Sequence, residues 1–188
     1  MPKRTDARTR AIQTAGRLFQ EQGYGATGLT QLIGESGTPK GSFYFHFPAG
    51  KEELAWEAIR GSGAAVAAGL RDLACRSADA PTLIREYGAF QRRALEESGY
   101  RQGCPIATVT LEMAAASEPI RAAAEAAFRS WVAVLAGFFQ AHGRPAAEAA
   151  GLAQHVVVAM EGALLLARAF RSTAPLLETE RLLVSLVA

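Results

Sequence analysis

The sequence predicts an all-α protein with about nine helices along its 188 residues. Alanine, the strongest helix former, occurs 39 times against 8 prolines. Runs that alternate apolar and polar residues, as half-buried strands would, are almost absent. Hydrophobic residues make up 49% and charged residues 20% of the chain, as in ordinary globular proteins. These observations favour packed helices around a hydrophobic core.

Apolar residues at helical spacing, with Gly and Pro at the boundaries, locate the individual helices. The first three lie before residue 51: one over about 6–22, one capped by Thr27 and ending at Ser36-Gly37, and one that starts at Pro39. The other six are expected over about 51–76, 82–97, 105–115, 119–141, 145–171 and 176–187. The composition changes at residue 50, which predicts a small domain over 1–50 and a larger one over 51–188.

Two short helices joined by a tight turn containing Gly37 have helix-turn-helix geometry. Residues 1–51 hold seven Lys and Arg against three Asp and Glu, whereas residues 52–188 hold thirteen against fifteen. In the third helix Phe43 and Phe47 are four apart and are expected to face the core. Lys40, Tyr44 and His46 then point elsewhere, and the pattern favours contact between that side and DNA.

These residues resemble the tetracycline-repressor (TetR) family of transcriptional regulators. The resemblance covers about the first 55 residues and is strongest over Pro39-Lys40-Gly41-Ser42-Phe43-Tyr44-Phe45-His46-Phe47 and Lys51-Glu52-Glu53-Leu54. It extends to an LmrA-like, drug- or flavonoid-responsive subgroup through Phe47-Pro48-Ala49-Gly50-Lys51, Gly103-Cys104-Pro105 and Glu161-Gly162-Ala163-Leu164. The resemblance implies a three-helix DNA-binding domain followed by a larger helical domain for ligand binding and dimerisation.

The resemblance also implies which residues meet DNA. Some contact the DNA backbone near the second helix, some approach the major groove and some bind phosphates: Thr27, Thr30, Thr38, Pro39, Lys40, Gly41, Ser42, Tyr44, His46 and Lys51. Because the third helix has no Arg, Asn or Gln, we expect Gln31, the N-terminal arm with Lys3 and Arg4, and DNA shape to share the sequence readout with Lys40. Two departures from the family pattern are Gly34 inside the second helix and Gly28 in its first turn, which should weaken that helix.

For the larger domain the resemblance implies a small-molecule pocket and a dimer interface. Pocket candidates form an apolar wall with a few polar groups: Tyr87, Phe90, Gln91, Cys104, Met113, Phe128, Trp131, Gln154, His155 and Met160. Interface candidates lie in the last two helices: Gly162, Leu165, Leu166, Ala169, Leu182, Leu183 and Leu186. Plain core packing is the alternative for each. Apolar residues cover most of the circumference of the helix over 145–171, which predicts burial on more than one side.

Other chemistry finds little support in the sequence. Cys75 and Cys104 cannot form a multi-bridge framework, and no signal-peptide core precedes them, which favours a cytoplasmic protein. Cys104 could be an oxidation sensor, but a small buried hydrophobe is the alternative. The most apolar stretch, over 156–167, is interrupted by Glu161 and is too short to span a membrane. No metal site, cofactor motif or nucleophile-base pair is evident.

The leading hypothesis is therefore a homodimeric repressor that a small apolar or aromatic effector releases from a palindromic DNA operator. One alternative is a helical carrier that keeps the pocket but has lost DNA binding, and its only sequence support is Gly28 and Gly34. A second alternative, an enzyme with the pocket as its active site, lacks a convincing acid-base pair.

Overall fold

The computed structural model describes residues 4–188, with side chains from Ala7 onward. This part of the chain consists of nine helices and contains no strand: α1 (Arg4–Ala26), α2 (Leu29–Ser36), α3 (Lys40–His46), α4 (Lys51–Arg76), α5 (Ala80–Glu97), α6 (Ala107–Met113), α7 (Glu118–Ala141), α8 (Ala146–Phe170) and α9 (Ala174–Val187). The all-α prediction is confirmed. Lys3, predicted as part of a basic arm, lies outside the described residues, as does the side chain of Arg4.

The helix boundaries follow the sequence prediction closely and depart from it for local reasons. Both predicted ends of α4 are correct. Helix α1 extends past its predicted stop, because only Gly23 leaves helical geometry (φ 87°, ψ 172°) and helix resumes for one more turn. Helix α5 starts two residues earlier than expected, because the carboxylate of Asp79 accepts a hydrogen bond from the Thr82 N–H at 2.7 Å and caps the helix.

The chain forms two compact units, each made of two segments. The first comprises Met1–Gly63 and Cys104–Ala127, and the second comprises Ala64–Gly103 and Phe128–Ala188. Helices α4 and α7 each contribute residues to both units. The predicted boundary after residue 50 separates a DNA-binding domain from a ligand-binding domain. The compact units do not test that functional division, which stays a prediction.

In the first unit, α1 contacts α2, α3 and α6. Helical spacing predicts one buried side of α1, formed by Ile12, Ala15, Leu18, Phe19 and Gln22. Ala15, Leu18 and Phe19 are buried together with Ala11, whereas Ile12 is half-buried and Gln22 is exposed. Phe43 and Phe47 of the α3 region are fully buried in the same unit, with ring centroids 5.3 Å apart. Helices α2 and α3 therefore pack against α1 through aromatic and aliphatic side chains.

In the second unit, α5, α8 and α9 contact one another. Met160 and Leu183 are buried in its core, and Trp131 of α7 is 1% exposed. A partly buried ion pair between Arg92 and Glu180 joins α5 to α9. Gly88 lies beside this pair, and a Cβ at that position would collide with the Glu180 carboxylate. The interhelical packing thus includes one specific polar link.

Two helices in the described part, α7 and α8, are long and apolar enough to cross a membrane, with mean hydropathy of 1.3 and 1.5 in their best windows. The sequence expectation that no segment crosses a membrane rested on the stretch over 156–167 alone, which Glu161 interrupts. Core helices of folded domains have the same length and composition, and both helices carry buried faces here. Packing accounts for the buried faces of both helices, whereas part of the apolar surface of α8 is exposed.

Candidate nucleic-acid interface

The turn between α2 and α3 is closed by backbone hydrogen bonds. Gly37 adopts the left-handed conformation (φ 61°, ψ 25°) that suits glycine. The N–H of Gly37 donates to the Gly34 carbonyl at 3.2 Å, and the N–H of Thr38 donates to the Ile33 carbonyl at 3.3 Å. This pair of bonds is the Schellman motif that ends many helices. The helix-turn-helix predicted from sequence is thus present, with residues 37–39 as the turn.

The start of α2 differs from the prediction. Its N-cap is Gly28, in extended conformation and without a side-chain cap, instead of Thr27. Thr27 is fully buried, and its hydroxyl donates to the Gly23 carbonyl at 2.6 Å. Glycine is well accepted at an N-cap, so the predicted destabilisation by Gly28 in the first turn is wrong. Gly34 does lie inside α2 and keeps its expected cost.

The side of α3 opposite its buried rings is open to solvent. Lys40, Gly41 and Tyr44 are exposed, and Ser42 is half-buried. No atom would lie within 4 Å of a Cβ at Gly41, so the backbone is accessible from outside. Thr30 of α2 and Pro39 of the turn are also exposed. These residues form the surface called here the α3 face: Thr30, Pro39, Lys40, Gly41, Ser42 and Tyr44.

Some predicted DNA contacts do not fit this geometry. The side chain of Thr38 is 1% exposed, and its hydroxyl donates to the Ala7 carbonyl at 3.2 Å. Packing against α1 therefore occupies the side chains of Thr27 and Thr38, and only their backbone groups remain as candidates for the predicted DNA contacts. His46 is half-buried, and its Nε2 is buried without a hydrogen-bond partner.

Gln31 has two partners inside the protein. Its amide oxygen accepts from Gln22 Nε2 at 2.9 Å, and its own Nε2 donates to Glu35 at 2.9 Å. Arg17 also donates to Glu35, at 2.5 Å, and the bonds to Gln31 and Arg17 lower the pKa of the Glu35 carboxyl. Base readout by Gln31 would require exchange of these hydrogen bonds.

Two residues of the basic N-terminal segment also make internal contacts. Arg8 forms an ion pair with Glu57 of α4 at 2.7 Å, and its guanidinium lies 5.8 Å from the Phe47 ring centroid. Arg10 Nε donates to the Ser36 carbonyl at the end of α2, at 3.2 Å. Arg8 and Arg10 therefore link α1 to α4 and to α2. The excess of positive charge in the N-terminal segment did not indicate this structural role.

Phe45 was missed by sequence reasoning as a surface residue. It is 65% exposed and lies against the His46 ring, with centroids 5.2 Å apart. The helical spacing carried the signal, because Phe45 falls two residues from both buried phenylalanines. The Phe45 ring is therefore an exposed apolar group beside the α3 face, and sequence analysis assigned it no role.

Lys51 begins α4 and lies over an aromatic ring. Its Nζ is 4.0 Å from the centroid of the Tyr24 ring. Burial lowers the pKa of Lys51, and the carboxylate of Glu112 opposes this shift. Burial raises the pKa of the Tyr24 hydroxyl, with a further increase from Glu52. The Lys51 ammonium, which is predicted to bind phosphate, therefore lies against the Tyr24 ring in the DNA-free protein.

The predicted pocket residues are dispersed. Tyr87 and Phe90 of α5 line one cavity of about 300 Å³ in the second unit, together with apolar residues of α4. Gln91 is buried and its Nε2 donates to the Tyr87 hydroxyl at 3.2 Å, while its Oε1 has no partner. Gln154 and His155 are exposed on α8, which contradicts their placement in an enclosed pocket. The remaining candidates occupy core or half-buried positions: Cys104, Met113, Phe128, Trp131 and Met160.

All of the predicted interface residues on α8 and α9 are exposed except Leu183. Leu165, Leu166, Leu182 and Leu186 are 61%, 47%, 73% and 52% exposed, and Gly162 and Ala169 are also exposed. Leu183 is 2% exposed and belongs to the core, so its assignment to the interface is wrong. Val158 and Phe170 are equally exposed and were missed. We call this surface the α8–α9 apolar face: Val158, Gly162, Leu165, Leu166, Ala169, Phe170, Leu182 and Leu186.

The cysteines and acidic residues form no evident reactive site. Cys75 is exposed and Cys104 is buried, and the Cys104 sulfur accepts a hydrogen bond from the Ala107 N–H at 3.4 Å. Among the described residues, no three His, Cys, Asp or Glu side chains come together as a metal site.

Comparison with known proteins agrees with this architecture. Residues 11–58 match the model of the tetR family of bacterial regulatory proteins, and residues 81–182 match the model of the LmrA/YxaF-like transcriptional regulator C-terminal domain. The chain is 37% identical to the HTH-type transcriptional regulator YxaF of Bacillus subtilis, over 94% of this chain and 93% of YxaF. It is 33% identical to the HTH-type transcriptional regulator LmrA of the same organism, over 92% of each chain.

Solved structures share the fold. The crystal structure of regulatory protein TetR from Rhodobacter sphaeroides superposes with a TM-score of 0.84 at 25% identity, covering 95% of this chain and 97% of that one. A TetR-family regulator from Agrobacterium tumefaciens gives a TM-score of 0.86 at 21% identity, with 99% and 100% covered. The chain belongs to the TetR family of bacterial transcriptional regulators, with a C-terminal domain of the LmrA/YxaF type.

Proposed function

We propose that this regulator is a homodimeric repressor that binds a palindromic operator and is released from it by a small apolar or aromatic effector. The observation that carries the proposal is the α3 face: a short helix anchored by two buried phenylalanines presents a lysine, a bare glycine backbone and a tyrosine to solvent. A cationic, exposed helix following a tight turn suits the major groove of DNA.

Four side chains of the α3 face, and Phe45 beside it, have chemistry that suits part of a DNA duplex. The Lys40 ammonium is a donor for acceptors on guanine in the major groove. The hydroxyl groups of Thr30, Ser42 and Tyr44 are donors for phosphate oxygens, which set register without reading sequence. The Phe45 ring supplies apolar contact of the kind made with a thymine methyl group. DNA shape then contributes the rest of the specificity, because base-reading side chains are few.

The α8–α9 apolar face supports dimerisation. The two contacting helices α8 and α9 both expose large aliphatic or aromatic side chains, and exposed apolar surface of this kind often marks a protein interface. No atom of the same chain would lie within 4 Å of a Cβ at Gly162, so a second helix has room to approach there. A two-fold dimer through this face would use the same residues on both chains and would present two heads to successive major grooves, roughly 34 Å apart.

The cavity between α4 and α5 supports an effector site. Its volume of about 300 Å³ is at the small end of ligand pockets, and its lining is mostly apolar with the Tyr87 and Phe90 rings. Asp72 and Arg76 are the charged residues in the lining. We expect a compact aromatic molecule. If it releases DNA, operator binding must weaken effector binding by the same factor.

The test is a fluorescence-anisotropy titration of the purified protein against DNA flanking its own gene, beside scrambled DNA, at two salt concentrations. We expect specific binding with Kd of about 10⁻⁸ to 10⁻¹¹ M and a steep salt dependence. Lys40→Ala with Tyr44→Phe should abolish the preference for the flanking DNA. Arg93→Ala, which removes an exposed cation from α5, is the charge-matched control and should retain it.

Equal, weak binding to both DNAs at each salt concentration would contradict the proposal and favour a carrier. The same proposal includes a cytoplasmic location, because the operator is chromosomal DNA, and it requires no cofactor or catalytic step.

A further inference from the structure

We infer that Glu112 is a positioning residue for operator binding: from α6, its carboxylate holds the end of α1 in the conformation that presents Lys51 to a DNA phosphate. The inference rests on the proposed operator binding. Glu112 lies outside the helix-turn-helix and was not singled out by the sequence.

The contact is bidentate and involves two consecutive backbone groups. Glu112 Oε1 accepts a hydrogen bond from the Tyr24 N–H at 2.9 Å, and Oε2 accepts one from the Gly25 N–H at 2.6 Å. Both groups follow Gly23, where the backbone leaves helical geometry at φ 87° and ψ 172°. Hydrogen bonds to an ionised acceptor are stronger than neutral ones. The carboxylate therefore stabilises the bend that leads from α1 into α2.

The backbone around this contact is shaped to accept the carboxylate. A Cβ at Gly23 would collide with Glu112 Oε1, and a Cβ at Gly25 would lie 3.0 Å from Oε2. Gly23 also needs its positive φ, which side chains rarely tolerate. The two glycines and Glu112 thus form one complementary unit, although 87 residues separate Gly25 from Glu112.

Tyr24 connects this unit to Lys51. Glu112 fixes the Tyr24 backbone, and the Tyr24 ring supports the Lys51 ammonium, which lies 4.0 Å from the ring centroid. A cation held over an aromatic ring loses less conformational freedom when it binds an anion than a free lysine does. Loss of the Glu112 bonds would release the Tyr24 backbone and with it the surface on which Lys51 lies.

A simple electrostatic argument makes the opposite prediction, which allows a sharp test. Removal of an exposed carboxylate near a DNA-binding surface reduces repulsion and should strengthen DNA binding. A positioning role predicts weaker binding instead. It also predicts a smaller salt dependence, because each lost phosphate contact lowers the slope of log K against log salt by about 0.9.

The experiment uses the full-length protein and the operator fragment identified by the anisotropy titration, at four salt concentrations. Glu112→Ala should weaken binding about 10-fold, the size of one lost charge-assisted hydrogen bond, and should lower the salt slope by about one phosphate. Lys51→Met should lower the slope equally. The double variant should show no further decrease, because both changes remove the same phosphate contact.

Glu97→Ala, an exposed carboxylate at the end of α5, is the matched control and should bind as tightly as the unmodified protein or more tightly. Gly25→Ala displaces the carboxylate without removing it, so it should weaken operator binding in the unmodified background and have little effect in Glu112→Ala. This second cycle remains informative if Glu112→Ala lowers thermal stability, because a general loss of stability would make the two effects additive.

Unchanged or tighter operator binding by Glu112→Ala would overturn the inference, as would a double variant with Lys51→Met whose salt slope falls twice as far. The proposed function is tested separately by Lys40→Ala with Tyr44→Phe. If that variant loses operator binding while Glu112→Ala does not, operator binding stands and only the positioning role fails. If the unmodified protein binds no DNA specifically, both fail.

Discussion

The α3 face and the α8–α9 apolar face have the same architecture and opposite chemistry. Each belongs to a helix region whose other side is buried: Phe43 and Phe47 support the first, and Met160 and Ala163 lie on the buried side of α8. The outward residues of α3 are a lysine, a glycine, a tyrosine and Phe45, whereas those of α8 include three aliphatic side chains and Phe170. The contrast indicates two different kinds of partner.

The difference has an energetic basis. Polar and cationic groups are well hydrated, so the α3 face is stable in water until a polyanion replaces that hydration. Exposed apolar area costs about 25 cal/mol for each Å² that could be buried instead, so the α8–α9 apolar face gains free energy when another apolar surface covers it. The proposed function therefore assigns DNA to the α3 face and a second copy of the chain to the α8–α9 apolar face. The following predictions test this contrast in order of decreasing effect.

Leu165→Glu with Leu182→Glu should convert the dimer to a monomer, because an isologous interface would bury four uncompensated carboxylates. Loss of the linked second head should then reduce operator affinity by about 100-fold or more. Sedimentation velocity measures the first effect and anisotropy the second. Leu111→Glu, at an 81% exposed leucine on α6, is the matched control and should stay dimeric. A double variant that sediments as a dimer would exclude the α8–α9 apolar face as the interface.

Phe43→Ala should destabilise the protein by about 3 to 5 kcal/mol, because it removes a fully buried ring beneath the α3 face. Phe45→Ala removes the same atoms from a 65% exposed position and should change the free energy of unfolding by less than about 0.5 kcal/mol. Urea unfolding compares the two. Similar losses for both variants would mean that Phe45 packs in solution and is not available to DNA.

Gly23→Ala should cost about 1 to 3 kcal/mol, because alanine is strained at φ 87° and its Cβ would collide with Glu112. Gly34→Ala is the matched change inside α2, where a Cβ meets nothing within 4 Å, and should add about 0.5 to 1 kcal/mol. Thermal and urea unfolding measure both. Equal effects of the same sign would show that the bend after α1 does not depend on the glycine.

Asp79 should give the smallest effect, confined to a pH range. Hydrogen bonds from the Thr82 hydroxyl and backbone N–H lower the pKa of the Asp79 carboxyl in the folded protein. A lowered folded pKa stabilises the protein above the unfolded pKa of about 3.9, and this stabilisation is lost as pH falls through the folded value. Unfolding free energies of the unmodified protein and Asp79→Ala should therefore converge below about pH 4.

Asp79→Asn keeps an acceptor oxygen at the cap but cannot titrate, so it is the control for the charge. Its difference from Asp79→Ala should be independent of pH. If the unmodified protein and Asp79→Ala differ equally at pH 3 and pH 7, ionisation of Asp79 does not stabilise α5.

Local signals in the chain predicted the fold accurately where short-range physics decides it. The start of α4 follows from Gly50 before it and from Glu52 and Glu53 in its first turn. The turn at Gly37 follows from the conformational freedom of glycine. Thr27 was misassigned as an N-cap, because a threonine before an apolar run has the same appearance whether its hydroxyl caps a helix or bonds back to α1. Burial decides between these roles.

The candidate sites depend more on long-range packing. Gln154 and His155 were assigned to a pocket because polar residues in an apolar helix suggest a ligand, but the rotation of α8 leaves them exposed. Leu183 and Leu182 are neighbours in sequence, yet one lies in the core and the other is 73% exposed. A helix that is apolar on all sides does not indicate which side meets its own chain.

The sequence by itself determined the all-α class, the helix-turn-helix and the family, because helix propensity, glycine turns and the pattern from Pro39 to Phe47 act over a few residues. Only the tertiary structure decided that Thr38 is buried, that Phe45 is exposed and that Glu112 binds the backbone after Gly23. Those outcomes depend on which surfaces of distant helices meet, and the free energy of that packing is a property of the whole fold.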